Sequence, residues 1–201
     1  MKSKQFPKYI TILLLGLLCV TLSGCVNLSP TKTEMKLYAL GPVEVSMADD
    51  AQGRDLRDLH IARPNLPVYL DGKRLQYRGI RGEIGELSGA RWAEHLEEGV
   101  ARSLAEYLIE EGATSATSFY PWPQRSRVGL TLRVYFNKLG AMKDGSIRMV
   151  ASWDLQKGSV QQRSGVFESS DIKWEPGSAD SLVAGLNTAL REFADAIATG
   201  L

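Results

Sequence analysis

Val128-Gly129-Leu130-Thr131-Leu132-Arg133-Val134-Tyr135-Phe136 and Ile147-Arg148-Met149-Val150-Ala151-Ser152-Trp153-Asp154-Leu155 are the two stretches that decide the fold. In the first, the even positions are Val, Leu, Leu, Val and Phe; in the second, the odd positions are Ile, Met, Ala, Trp and Leu. An apolar residue at every second position is the signature of a strand with one buried face. Lys143-Asp144-Gly145 between them supplies a turn, so the pair reads as an antiparallel hairpin. After Lys157-Gly158-Ser159, residues 160–172 add a third, more polar strand, as befits a position nearer a sheet edge. Upstream, residues 36–40, 60–63, 68–70 and 74–77 are short strand candidates, with Asp71-Gly72 as a hairpin turn.

Two segments carry helical periodicity instead. Over 91–111 the apolar positions are Trp92, Leu96, Val100, Leu104, Tyr107 and Leu108, with Ser88 upstream as a candidate cap and Gly112 as a stop. Over 178–199 they are Leu182, Val183, Leu186, Ala189, Leu190, Phe193, Ala194 and Ile197, ended by Gly200. One apolar stripe per helix means that each lies on a neighbour. The order is strands, helix, three-strand meander, helix. That is an α+β fold, with a largely antiparallel sheet and both amphipathic helices packed on one of its faces.

Composition narrows the function. Hydrophobic residues at 44% and charged residues at 23% are ordinary for a globular chain. The 24 basic and 23 acidic side chains are unevenly placed, because residues 1–24 hold three lysines and no acid, leaving 21 bases against 23 acids beyond them. A mildly acidic body does not suit a nucleic-acid partner, which needs a clustered basic surface. Both cysteines, Cys19 and Cys25, fall in the first 25 residues, so the body has no disulfide framework or cysteine-rich metal site. His60 and His95 are the only histidines, and neither has a second ligand at metal-binding spacing. Gly79, Gly82, Gly85 and Gly89 run at three- and four-residue intervals with no lysine-serine pair after them, which reads as a mobile loop between strand and helix, not a phosphate cradle. Adjacent carboxylates Glu97-Glu98 and Glu110-Glu111 diverge by about 100° around a helix and read as a solvated face. No cofactor and no enzymatic chemistry is expected.

The N-terminus is more specific. A cationic start to Lys8, then the apolar run from Tyr9 to Leu22, describes a secretory signal that is short for a permanent span. Leu22-Ser23-Gly24-Cys25 follows and resembles the lipobox of bacterial lipoproteins. By that likeness the chain is cut between Gly24 and Cys25, and Cys25 receives diacylglycerol and a further acyl chain such as palmitate. Residues 1–24 are then a signal peptide, 25–35 an acylated cysteine and polar tether, and 36–201 a single domain. Several acyl chains anchor a protein stably, since each buried methylene contributes about 0.8 kcal/mol. Val26 stands where an aspartate would favour retention at the inner membrane, so the expected location is the periplasmic face of the outer membrane.

Phe119-Tyr120-Pro121-Trp122-Pro123 is the one apolar motif outside the periodic segments. Its prolines exclude a helix and hold the rings in an extended loop. Tyr120 and Trp122 are therefore candidate partner-docking residues, against the plainer reading of a loop folded back on the core.

Taken with Leu37-Tyr38-Ala39-Leu40, Arg91-Trp92-Ala93-Glu94-His95-Leu96 and Trp153-Asp154-Leu155, the lipobox and closing helix resemble the auxiliary lipoproteins of ABC-type transport systems, the PqiC/YmbA group. His95 departs from that group's proline. The resemblance spans nearly the whole mature chain and implies an outer-membrane lipoprotein working beside an MCE-type periplasmic protein and its ABC transporter. In that role it links the transport machinery to the outer membrane and supports membrane integrity. Homo-oligomerisation fits such a role. Two alternatives stay open: a periplasmic lipid-binding carrier with a pocket between helices and sheet, and an outer-membrane assembly lipoprotein.

Overall fold

A computed structural model describes residues 34–43, 58–114, 116–122 and 129–201. In chain order its elements are β1 (Lys36–Tyr38), β2 (Leu59–Ile61), a 3-10 turn (Val68–Leu70), β3 (Arg74–Arg78), β4 (Ile84–Trp92) and α1 (Leu96–Glu110). Then come β5 (Thr117–Phe119), β6 (Leu130–Met142), β7 (Ser146–Lys157), β8 (Val160–Glu168), β9 (Ile172–Lys173) and α2 (Ala179–Gly200). The expected signal peptide, Cys25 and the expected tether as far as Thr33 lie outside the described residues, as do Pro123 and Val128.

The β6–β7 hairpin is the spine. It pairs antiparallel from Thr131↔Gln156 to Ala141↔Ile147, with one irregularity between Phe136 and Lys138. Lys143-Asp144-Gly145 closes it, and Asp144 accepts hydrogen bonds from the Ser146 backbone N–H and hydroxyl at 2.9 and 2.6 Å. On its other side β6 takes two short parallel partners, β2 along its first half and β3 near its end. β4 joins β3 antiparallel, β1 joins β4 parallel, and β5 joins β2 parallel. β8 and β9 pair antiparallel with β7. The sheet is thus mixed, with antiparallel pairing in its long ladders and parallel pairing confined to short flanking strands.

Both helices cover one face. α2 is capped by Ser178, whose hydroxyl accepts from the Ser181 N–H, and Asp180 sits in its positive first turn. Its buried stripe Leu182, Leu186, Leu190, Phe193 and Ile197 lies on β6–β9, with Phe193 edge-on to Phe136 at 5.7 Å. Gly185 sits so close to β7 that a Cβ there would stand 2.8 Å from Ile147 Cγ1. α1 buries Val100, Leu104, Tyr107 and Leu108 and ends in a Schellman arrangement: the Ala113 N–H donates to the Leu108 carbonyl and the Gly112 N–H to that of Ile109. Gly112, at φ +65, takes the left-handed conformation this needs. The helices meet through Arg191, which pairs with Glu110 at 2.8 Å and stacks 4.6 Å from the Tyr107 ring centroid.

Several local expectations are corrected. Helix α1 begins at Leu96 rather than residue 91, and His95 occupies its N-cap. Ser88 and Trp92 belong to β4, where the Trp92 N–H donates to the Lys73 carbonyl and the Ala93 N–H to that of Tyr38. Ladder hydrogen bonds capture this segment although Trp92 also fits the helical stripe. The glycine run is no loop between strand and helix. Gly79 and Gly82 shape the β3–β4 turn and Gly85 lies in β4, where the Tyr77 ring covers it so closely that a Cβ would stand 2.3 Å from Cζ. Residues 68–70 form a 3-10 turn, and Asp71-Gly72 joins no hairpin, because β3 pairs with β4 and β6. Glu97 and Glu110 are not solvated; both are ion-paired and largely covered. Trp174, of open placement from sequence, is buried, and its indole N–H donates to the Met142 carbonyl at 2.7 Å.

Candidate functional site

Strands β2 and β5 run parallel with Ile61 opposite Phe119, so the segments that follow them leave the sheet side by side. Each soon meets a proline, Pro64 after Arg63 and Pro121 after Tyr120, which has no N–H to give a ladder, although Asn65 beyond Pro64 still bridges to Tyr135 of β6. The Tyr120 N–H donates to the Ile61 carbonyl at 3.0 Å, and the Trp122 N–H to that of Phe119 at 2.9 Å. Both chain ends thereby arrive at the first turn of α1.

Three side chains lock there. Arg63 forks onto Glu97, with Nε 3.0 Å from Oε2 and Nη2 2.9 Å from Oε1. The Tyr120 hydroxyl donates to Glu97 Oε1 at 3.2 Å, and the Arg63 guanidinium lies 5.3 Å from the Tyr120 ring centroid. Partial burial, followed by the Glu97 charge, raises the Tyr120 phenol above its ordinary value. Glu97 also sits where the helix dipole favours negative charge. The two aromatic docking candidates are therefore not equivalent. Tyr120 is folded back and braced, as the plainer reading had it, whereas Trp122 projects, with 66% of its surface exposed.

Beside this ledge a groove of about 390 Å³ is lined by Arg63, Pro64, Leu66, Val68, His95 and Glu97, among others. Val68 is exposed at its rim. Arg63 is not singled out in the sequence, and Glu97 reads there only as part of a solvated face. The available signal was an arginine before a proline at a strand end, which becomes meaningful only once β2 and β5 are known to be neighbours.

One buried polar pair lies behind the ledge. His60 Nδ1 is 2.9 Å from Ser118 Oγ across the β2–β5 ladder, and both residues are buried. Burial pushes the imidazole below its ordinary value, with the Ser118 contact working the other way. Among the described residues no carboxylate is recorded on His60, so the pair lacks the third member of a hydrolytic triad. Cys25 and Gly24, the expected lipidation and cleavage positions, lie outside the described residues.

Residues 38–198 match the family model described as the ABC-type transport auxiliary lipoprotein component. Among solved structures, a Xanthomonas campestris protein of the DUF330 family superposes with a TM-score of 0.63 at 16% identity, covering 81% of this chain and 92% of that one. An uncharacterised protein superposes with a TM-score of 0.61 at 19% identity, covering 83% of this chain and 98% of the other. These two likenesses concern the fold. Comparison with curated proteins returns no match.

Proposed function

Because this chain belongs to the ABC-type transport auxiliary lipoprotein family, we propose that it is an accessory subunit of an MCE-type lipid transport system, acylated on Cys25 and held on the periplasmic face of the outer membrane. The family match over residues 38–198 supports the link to an ABC transporter. The lipobox ending at Cys25 and the valine after it support the anchor and its membrane. In this reading the role is non-enzymatic: the domain docks partner machinery to the membrane that holds it.

The observation that favours docking over an internal carrier is the exposed indole of Trp122 on a braced base. Tyr120 and Arg63, tied to Glu97, form a rigid ledge, and a large projecting aromatic on a rigid support is the usual make-up of an interface anchor. A carrier with its pocket between helices and sheet is disfavoured, since Gly185 brings the backbone of α2 against Ile147 and leaves no room there.

The test is affinity capture of the full-length acylated protein from solubilised membranes. Wild type should recover an MCE-type subunit and its transporter, and Trp122→Ala should reduce that recovery at least tenfold with an unchanged unfolding midpoint, the size expected for an interface hot spot. Capture that lacks any such subunit overturns the reading.

A further inference from the structure

The sheet face turned away from the helices holds a second recess, of about 150 Å³, that the docking ledge does not use. The register sets its composition. Gly140 of β6 lies opposite Arg148 of β7, and Arg78 of β3 opposite Met142 of β6, so these residues share a face with Lys138 and Gln76. Ile147, on the opposite face, is buried against Gly185 of α2. Tyr69 of the 3-10 turn also lines the recess.

Three properties of this recess point to one kind of ligand. Its lining holds three cations, Arg78, Lys138 and Arg148, and no carboxylate. Elsewhere in the described domain Arg63, Arg74, Arg102 and Arg191 each meet a glutamate within 3 Å, while Arg91 and Arg163 donate to backbone carbonyls. None of the three recess cations has such a partner among the described residues. Arg148 also borders an adjoining recess that contains Asp144, Glu168 and Asp171, and its charge acts on Asp144 although no ion pair joins them. Three cations gathered around one recess repel one another, and the arrangement is stabilised when an anion enters.

The second property is an orphaned polar atom. Gln76 Oε1 is sealed from solvent and has no hydrogen-bond partner. An unmet buried amide is unusual and destabilising. With the side chain turned toward the recess, its amide would meet a ligand hydroxyl or oxygen. The third is space. A Cβ on Gly140 would meet nothing within 4 Å, so the missing side chain leaves room between the cations.

We propose that this recess binds a phosphate ester, with Arg78, Lys138 and Arg148 holding the phosphate oxygens and Gln76 a neighbouring polar group. Guanidinium forks suit phosphate geometry and the lysine adds a point charge. A volume near 150 Å³ admits a group about the size of benzene. A phosphate with a few carbons fits, and the acyl chains of a whole lipid would stay outside. The phosphate is thus either that of a lipid headgroup or that of a small soluble ester.

Calorimetric titration of the full-length acylated protein in maltoside micelles tests this with two probes, dihexanoyl phosphatidylglycerol and glycerol 3-phosphate. Saturable binding of either is expected, weakened at least tenfold by Arg78→Gln with Arg148→Gln, and equally by Lys138→Glu, which places an acid among the cations. Arg133→Gln on the same strand and Trp122→Ala on the ledge should leave it unchanged. All these side chains lie at the surface, and matching unfolding midpoints confirm that the variants fold. Binding of both probes assigns the site to soluble esters as well as lipids; binding of the lipid alone assigns it to headgroups. If neither probe saturates, or if the lipid signal survives all the recess variants as simple micelle partitioning would, the proposal is overturned.

Discussion

At the residue scale, His60 is a titratable group whose environment departs from solution. It is buried at the β2–β5 ladder beside Ser118, and desolvation favours its neutral form. A histidine with a lowered folded pKa leaves the unfolded chain binding more protons, so stability drops as pH falls. The loss starts near the ordinary value of 6.5 and continues down to the folded value. Between pH 7.5 and 5.5 the urea midpoint of wild type should therefore decline. His60→Gln removes the titrating group, so its midpoint should start lower at pH 7.5 and decline less. Equal slopes in the two proteins would show that His60 is not the group responsible.

At the element scale, the seam between α2 and β7 is closely built. Gly185 is the contact point, and Trp153 lies against two further glycines, Gly165 of β8 and Gly200 at the end of α2, each too close for a Cβ. A helix former placed at an exposed glycine would add up to about 1 kcal/mol. At Gly185 that gain is opposed by overlap with Ile147, and overpacking typically costs about 1–3 kcal/mol. Gly185→Leu should accordingly destabilise by about 2 kcal/mol or more, read by urea titration. Gly158, in the β7–β8 turn with open space around it, offers no such overlap.

At the scale of the whole molecule, β1 ties the start of the domain to everything else. The Tyr38 carbonyl accepts from the Ala93 N–H, and the Tyr38 hydroxyl donates to Asp180 at 3.0 Å. The Leu40 carbonyl accepts from Arg102, itself held by Glu94 and Glu106, and the Gly41 N–H donates to Asn187 at 2.9 Å. Strand β1 and the residues just after it, Leu40 and Gly41, thus engage β4, α1 and α2 together. Asn187→Ala should cost about 1 kcal/mol, the net contribution of one such bond, measured by thermal or urea unfolding. A different experiment addresses the anchor: Cys25→Ser should abolish acyl labelling and release the protein from the outer-membrane fraction. Retention of the unlabelled variant there would argue against the lipid anchor.

Legibility followed interaction range. The β6–β7 hairpin, its turn and the stripe of α2 could be read from residues 128–155 and 178–199 because period-two and helical patterns record which side of an element is buried. Strand β4 could not be read, since Gly85 and Gly89 interrupt its alternation and Trp92 continues a helical stripe equally well; pairing with β1 and β3 chose the strand. The parallel partners β2 and β5 were invisible as neighbours for the same reason. Of the ledge, sequence alone determined the aromatic motif and its proline-stiffened backbone. Only the tertiary structure decided that Tyr120 turns back to Glu97 while Trp122 projects, and that three cations far apart in sequence face one recess. Local pattern encodes what a residue must bury, whereas which charges and rings meet depends on strands joined across long loops.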